Sequence, residues 1–205
     1  MSELETLINL VRSNQFVVLD TETTGLSPDS EMCQLSVVDY HGVTLIDTLV
    51  KPSKPIPADA IAIHGITNEM VAQAPTIAEL TPQLSAALAG RDLVIYNANY
   101  DLRIIEASYK NAGVKYDHFD WREKGPQTQI ACAMEAYAEY YGDWNEYRQS
   151  YKWQRLSNAC QQCGLKVQDA HNALGDCLMT LALIRYIEDA LRPDPEPAPP
   201  THSKE

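Results

Sequence analysis

Phe16-Val17-Val18-Leu19-Asp20-Thr21-Glu22-Thr23-Thr24-Gly25 is the stretch on which the fold turns. Its first four residues form a compact apolar run, β-branched at the centre, which suits a buried strand. The run passes into two acids and is broken by Gly25 and by Ser27-Pro28-Asp29. Strand side chains alternate faces, so Asp20 and Glu22 project from one face at the strand's end. Two carboxylates so close repel each other and resist ionising together. A divalent cation such as Mg²⁺ removes that penalty, because it takes oxygen ligands. The competing reading is an acidic, solvated strand-to-loop junction, and the pair alone does not separate the two.

Upstream, residues 2–13 place Leu4, Leu7, Ile8 and Val11 at helical spacing behind a cap at Ser2. Downstream, 33–40 and 43–50 are strand-like runs around His41-Gly42 and read as a hairpin. Prolines 52, 55 and 57 enforce an irregular loop. Residues 76–89 read as a helix interrupted at Pro82, Leu93–Tyr96 as a strand, and 100–112 as a helix stopped by Gly113. His118-Phe119-Asp120 is expected as a short fifth strand, with helices over 128–141, 154–163 and 172–191. The tail from Pro193 holds five prolines and few apolar groups and is expected to be disordered. A strand meander followed by alternating strands and helices is an α/β plan with a mixed sheet. The expected organisation is a leading helix over 1–14, one domain over 15–192 and a tail over 193–205.

The 205 residues are 45% hydrophobic and 21% charged, which fits one globular domain and excludes wholesale disorder. The net charge of −12 excludes a general basic field for coating nucleic acid or anionic lipid. Five cysteines at irregular spacing do not make a secreted disulfide framework. Cys160-Gln-Gln-Cys163 lacks the second pair that structural zinc needs. The N-terminus carries acids where a signal peptide carries bases, and no run approaches the roughly 18 apolar residues of a membrane helix. A cytoplasmic protein without membrane contact is expected.

Two further places carry chemistry. Asp101 follows the strand Leu93–Tyr96, and in open sheets functional groups gather at strand carboxyl ends. The same residue also reads as a helix N-terminal acid favoured by the dipole. His171 and Asp176 are five residues apart, about 500° of helix, so both cannot sit mid-helix and face one way. His171 on a loop and Asp176 in the first turns can converge. An imidazole can take a proton from water near neutral pH.

Taken together, Asp20-Thr-Glu22-Thr-Thr-Gly25, Asn97-Ala-Asn-Tyr-Asp101 and His171-Asn-Ala-Leu-Gly-Asp176 resemble the three motifs of the DEDDh 3′→5′ exonucleases. That family includes the polymerase III epsilon subunit, exonuclease X, ribonuclease T and oligoribonuclease. Ile63-His64-Gly65-Ile66-Thr67 matches a fourth segment, and the likeness spans roughly residues 15–190. It implies a ribonuclease H-like fold, a five-stranded mixed sheet flanked by helices. It also implies two divalent ions, Mg²⁺ or Mn²⁺, held by Asp20, Glu22, Asp101 and Asp176, with Asp20 bridging them and His171 as general base. Thr23, Gly25 and Leu26 would line the pocket for the 3′-terminal nucleotide. Ile63 and His64 would touch the terminal bases, and Tyr100 would pack on sugar or base, with Asn97 beside it. The implied reaction releases nucleoside 5′-monophosphates from single-stranded or frayed 3′ ends, DNA before RNA.

The rivals are an RNA-trimming enzyme of the same family and a catalytically silent binding module. The second would be marked by loss of an acid or of the His, and all five are present. The resemblance leaves the partner open between a second copy of the chain and a polymerase or repair protein. It is looser over 114–155, where Cys132-Ala133 replaces the family's usual Asp-Thr or Cys-Thr. Seven aromatics between Tyr137 and Trp153 read either as a stacking platform for single strands or as helix packing around a loop.

Overall fold

The computed structural model describes residues 1–114, 129–167 and 171–192. A five-stranded mixed sheet has the order β3-β2-β1-β4-β5. Its strands are β1 (Phe16–Thr23), β2 (Met32–Asp39), β3 (Thr44–Leu49), β4 (Asp92–Ile95) and β5 (Ile130–Cys132). β2 runs antiparallel to both β1 and β3, closing the expected hairpin at His41-Gly42. β4 is parallel to β1, with Val17 opposite Leu93, and β5 is parallel to β4. The expected α/β plan and mixed sheet are therefore present.

β1 is central because it is apolar on both faces. Val17 and Leu19 enter one core with Leu84, Ile104 and Tyr109, from α4 (Ile77–Leu88) and α5 (Ala98–Asn111). Phe16 and Val18 enter the other, with Leu7, Tyr137, Leu181 and Ile184. Those last residues come from α1 (Glu3–Ser13), α6 (Ala133–Tyr141) and α8 (Ala173–Ala190). α1 starts at a Ser2–Glu5 capping box and buries Leu7, Leu10 and Val11 against the sheet layer. Two short helices, α2 (Ala58–His64) and α3 (Asn68–Val71), follow the proline-rich loop and were not expected. The chain between β5 and α8 carries α6, a small hairpin of β6 (Trp144–Asn145) and β7 (Ser150–Tyr151), and α7 (Leu156–Gln162).

Two expectations need correction. Residues 128–141 were expected to be one helix, but Ile130–Cys132 is the fifth strand, pairing with β4, and the helix starts at Ala133. Three apolar residues carry no period of their own, and only the open edge of β4 makes them a strand. Pro82 does not interrupt its helix: α4 runs through it. The lost bond and ring clash cost about 3 kcal/mol. Ile77, Leu80, Leu84 and Leu88 are all buried on the same helix, at about 1.5–3 kcal/mol each, and that outweighs the cost. The strand expected at His118-Phe119-Asp120 and the tail from Pro193 lie outside the described residues. Among the described residues no helix is long and apolar enough to cross a membrane.

Candidate active site

Strand alternation divides the end of β1 into two sides. On the side of Phe16 and Val18 stand Asp20 and Glu22, and α8 packs against that face. Asn172 caps α8 by accepting from Leu174 and Gly175 N–H, at 3.2 and 3.3 Å. Asp176 therefore falls in the first turn, where the helix dipole favours an acid. Carboxylate oxygens of Asp20, Glu22 and Asp176 lie within 4.8 Å of one another. Burial, then the charges of Asp101, Asp176 and Glu22, push Asp20 well above the usual carboxylate range. Burial and its acidic neighbours raise Glu22 to about 7. Burial raises Asp176 to about 6, against the lowering effect of the charge and backbone amide of His171. Three oxygen donors that resist losing their protons together are a donor set suited to a hard divalent cation, which would offset their repulsion.

On the other side stand Thr21 and Thr23. Asp101, in the first turn of α5, is 4% exposed and accepts a 2.7 Å hydrogen bond from Thr21 Oγ1. Burial lifts Asp101 to about 7, opposed by the Thr21 hydrogen bonds. It therefore stands apart from the three clustered acids but within their electrostatic reach. The parallel pairing of β1 and β4 delivers it there, since β4 leads directly into α5 at the carboxyl end of β1.

Thr23, Tyr100 and Gly25 form a second tie. Thr23 Oγ1 and Tyr100 Oη are 2.7 Å apart, and Tyr100 donates to the Gly25 carbonyl at 2.9 Å. The Arg103 guanidinium lies 5.3 Å from the Tyr100 ring centroid and donates to the Leu26 carbonyl at 3.4 Å. Gly25 has φ +142°, and an added Cβ would meet only Ser30 Oγ at an ordinary 3.5 Å. Backbone conformation, not space, calls for glycine here.

Thr23, Gly25, Leu26, Ile63, His64, Asn97 and Tyr100 border one open cleft of about 440 Å³, beside Glu22. Leu26 is 82% and Ile63 62% exposed, so both offer apolar surface at its mouth. His64 is tied on both ring nitrogens. Its Nδ1 accepts from Ile66 N–H at 3.0 Å, so in the neutral ring Nε2 carries the proton and donates to Thr23 O at 3.2 Å. Burial lowers its pKa, against the raising effect of the hydrogen bond to Thr23 O. His171 precedes the α8 cap with φ +68°, a left-handed turn outside the helix. That turn frees it from helical spacing and leaves it exposed, close enough for its charge to act on Asp176 and His64.

Sequence reasoning missed several neighbours. Thr21 sits inside a quoted segment without a motif role, Arg103 lies two residues beyond another, and Thr21 and Asp59 border the cleft. Gln34 donates to Asp47 at 3.1 Å and accepts from Ala173 N–H at 3.3 Å, tying the start of α8 to β2 and β3. Gln34 is opposite Glu22 in the β1–β2 register. That register and the contact 139 residues away exist only once the sheet forms.

Residues 17–184 match a family model described as Exonuclease, of the RNase T type. A relative called an uncharacterized exonuclease, from Escherichia phage 186, is 43% identical over 169 residues, covering 82% of this chain and 85% of its own. A DNA polymerase III subunit epsilon-like protein of Rhodobacter capsulatus is 42% identical over 110 residues, but the match spans only 16% of its length. Exonuclease X, solved with 5′-overhanging duplex DNA, superposes with a TM-score of 0.63 at 25% identity, covering 86% of this chain and 92% of that one.

Proposed function

The chain belongs to the RNase T exonuclease family of nuclease hydrolases, and on that premise we propose that it removes nucleotides from single-stranded or frayed 3′ ends of DNA, releasing nucleoside 5′-monophosphates. The observation that carries this is the convergence of Asp20, Glu22 and Asp176, with Glu22 lining a cleft of mononucleotide scale and with Asp101 and His171 within electrostatic reach of the three acids. DNA is favoured over RNA because exonuclease X, matched over nearly its whole length, was solved with DNA.

Asp20, Glu22 and Asp176 would hold divalent ions, Mg²⁺ or Mn²⁺, with Asp101 completing the second position. Bound there, two such ions would supply the positive charge that activates water and stabilises the leaving 3′-oxygen. Exposed on its loop, His171 would take the proton from the attacking water. Tyr100 and Thr23 hold the Gly25 carbonyl, so backbone groups present a fixed wall to the terminal nucleotide. Leu26 and Ile63 supply apolar surface for its base. His64, committed to Thr23 O and Ile66 N–H, would act on the substrate through ring contact and by fixing the strand end.

The acidity of the chain fits this local mode of grip. Of the net −12, the tail from Pro193 contributes −2, from Asp194, Glu196 and Glu205 against Lys204. Four of the remaining negative charges are the proposed ligands, and they would face the cations. Recognition then rests on one strand end, and binding without metal is weak. A cytoplasmic location belongs to the same reading.

The test is a product assay on matched 5′-labelled single-stranded DNA, duplex DNA and RNA, with Mg²⁺ and with chelator, the released nucleotides being identified chromatographically. Stepwise loss of 5′-monophosphates from single-stranded DNA, only with Mg²⁺, is expected. Faster loss from RNA would move the assignment to the RNA-trimming branch, and activity surviving in chelator would end the metal-dependent reading.

A further inference from the structure

A second concave surface, sharing no lining residue with the cleft, lies between α6 and the small β6–β7 hairpin. It is a groove of about 500 Å³ whose lining includes Trp144, Tyr151 and Trp153 and the acids Glu3, Glu135 and Glu139. Among the described residues no lysine or arginine lines it. Trp153 is 59% exposed, and Tyr147 at the hairpin tip is 95% exposed. Large aromatic rings left in water at one place are the usual mark of a contact surface.

The aromatics are held rather than loose. Trp144 and Tyr151 meet edge to face at 5.0 Å across the hairpin. Asn145 Oδ1 accepts from both Tyr147 and Arg148 N–H at 3.0 Å, which shapes the turn. Lys152 donates to both carboxylate oxygens of Asp143, at 2.9 and 3.1 Å, so the nearby ammonium is already paired. The Tyr96 hydroxyl donates to Gln154 O at 3.0 Å and anchors the return strand to the main body. Glu3 and Glu139 accept backbone N–H groups of Cys132 and Leu4, which fixes them at the groove wall.

The charge selects the occupant. A nucleic-acid strand stacking on these rings would bring its phosphates against three carboxylates with no cation among the described lining residues to offset them, whereas strand-binding grooves combine rings with positive charge. A guanidinium or ammonium gains twice, over an indole face and beside the acids. We propose that this groove docks a protein partner through a peptide segment bearing arginine or lysine. The surface is separate from the nuclease cleft, and the proposal stands independently of the substrate assignment.

The test uses the full chain at about 0.15 M salt, where long-range attraction is screened beyond about 8 Å. The probes are fluorescein-labelled hexa-arginine, hexaglutamate and a dT12 oligomer, the last in chelator. Saturable one-to-one binding of hexa-arginine is expected, with no binding of hexaglutamate. Trp153→Ala and Glu135→Lys should each weaken it at least three-fold, while Glu106→Lys, an equal charge change on α5, stays within two-fold of the parent. Circular dichroism checks that each variant is folded. Absence of hexa-arginine binding overturns the proposal. So does equal weakening by Glu106→Lys, which would mean a general field, and so does a loss of dT12 binding in Trp153→Ala with peptide binding intact, which would mean a strand platform.

Discussion

The two sides of β1 at its carboxyl end are built from alternate residues of one short segment, yet they are opposite in character. Asp20 and Glu22 face α8 and meet Asp176; burial drives all three carboxyls upward in pKa, and acidic neighbours add to the rise at Asp20 and Glu22. Thr21 and Thr23 face α5 and meet Asp101 and Tyr100 through short hydrogen bonds. One side is frustrated in the protein alone, and bound cations would balance it. The other is satisfied beforehand and supplies a fixed frame. A site that must bind charge and hold geometry uses the period-two strand to separate the two tasks.

The largest effect expected on this contrast comes from Asp20→Asn. Nuclease turnover should fall by at least about 10³-fold, the upper range for removing one electrostatic stabiliser. The metal-free protein should at the same time melt higher, because a repelling charge is gone. Lost activity together with a lower melting temperature would place Asp20 among structural residues instead. Next in size is His171→Ala, where loss of a general base costs about 10²-fold or more. An unchanged pH–rate profile in that variant would remove His171 from the role.

The buried acids of both sides also make a stability prediction. Glu22 and Asp101 are held at about 7 and Asp176 at about 6 in the folded chain, against about 4 when unfolded. The folded state therefore keeps protons that the unfolded state has released. The resulting stability is full below about pH 4 and is lost as pH rises toward 7. In chelator the melting temperature should drop by several degrees between pH 5 and pH 8, and Mg²⁺ should restore it. A melting temperature in chelator that climbs over that range would contradict the sign.

The satisfied side gives smaller numbers. Tyr100→Phe removes the donor to the Gly25 carbonyl, about 1 kcal/mol, or roughly five-fold, expected mainly in KM. Steady-state kinetics on single-stranded DNA checks it, and an effect confined to kcat would show that Tyr100 is not part of the binding wall. The smallest change is expected at Gln34→Met, which unties the start of α8 from β2. A two- to five-fold fall in kcat with KM unchanged is the expected outcome, and no change in either would make the tie incidental.

Much of the site was legible because the chemistry sits in short segments with their own local geometry. Asp20 and Glu22 are two apart on a strand, and the backbone needs nothing further to align them. His171 and Asp176 are incompatible with one helix face, so a loop before the helix was the way to bring them together, and the cap at Asn172 provides it. Asp101 was placed by its position after the strand Leu93–Tyr96, and the parallel pairing of β4 with β1 brings that strand end beside Asp20 and Glu22. The helix at Ala58–His64 was hidden behind three prolines, one of which, Pro57, stands at its N-cap. β5 was misread because three apolar residues suit a strand or a helix equally.

The sequence by itself determined the α/β plan, a buried first strand and the order of the motifs with their candidate acids, because these are legible from periodicity and chemistry within short segments. Only the tertiary structure decided that Asp101 stands aside on Thr21 while Asp176 joins the other two acids. It also decided that Gln34 reaches α8, and that the aromatics after Tyr141 form a groove walled by glutamates. Those facts depend on which chain segments become neighbours across the sheet, and burial and hydrogen bonding select those neighbours over distances that local pattern does not encode.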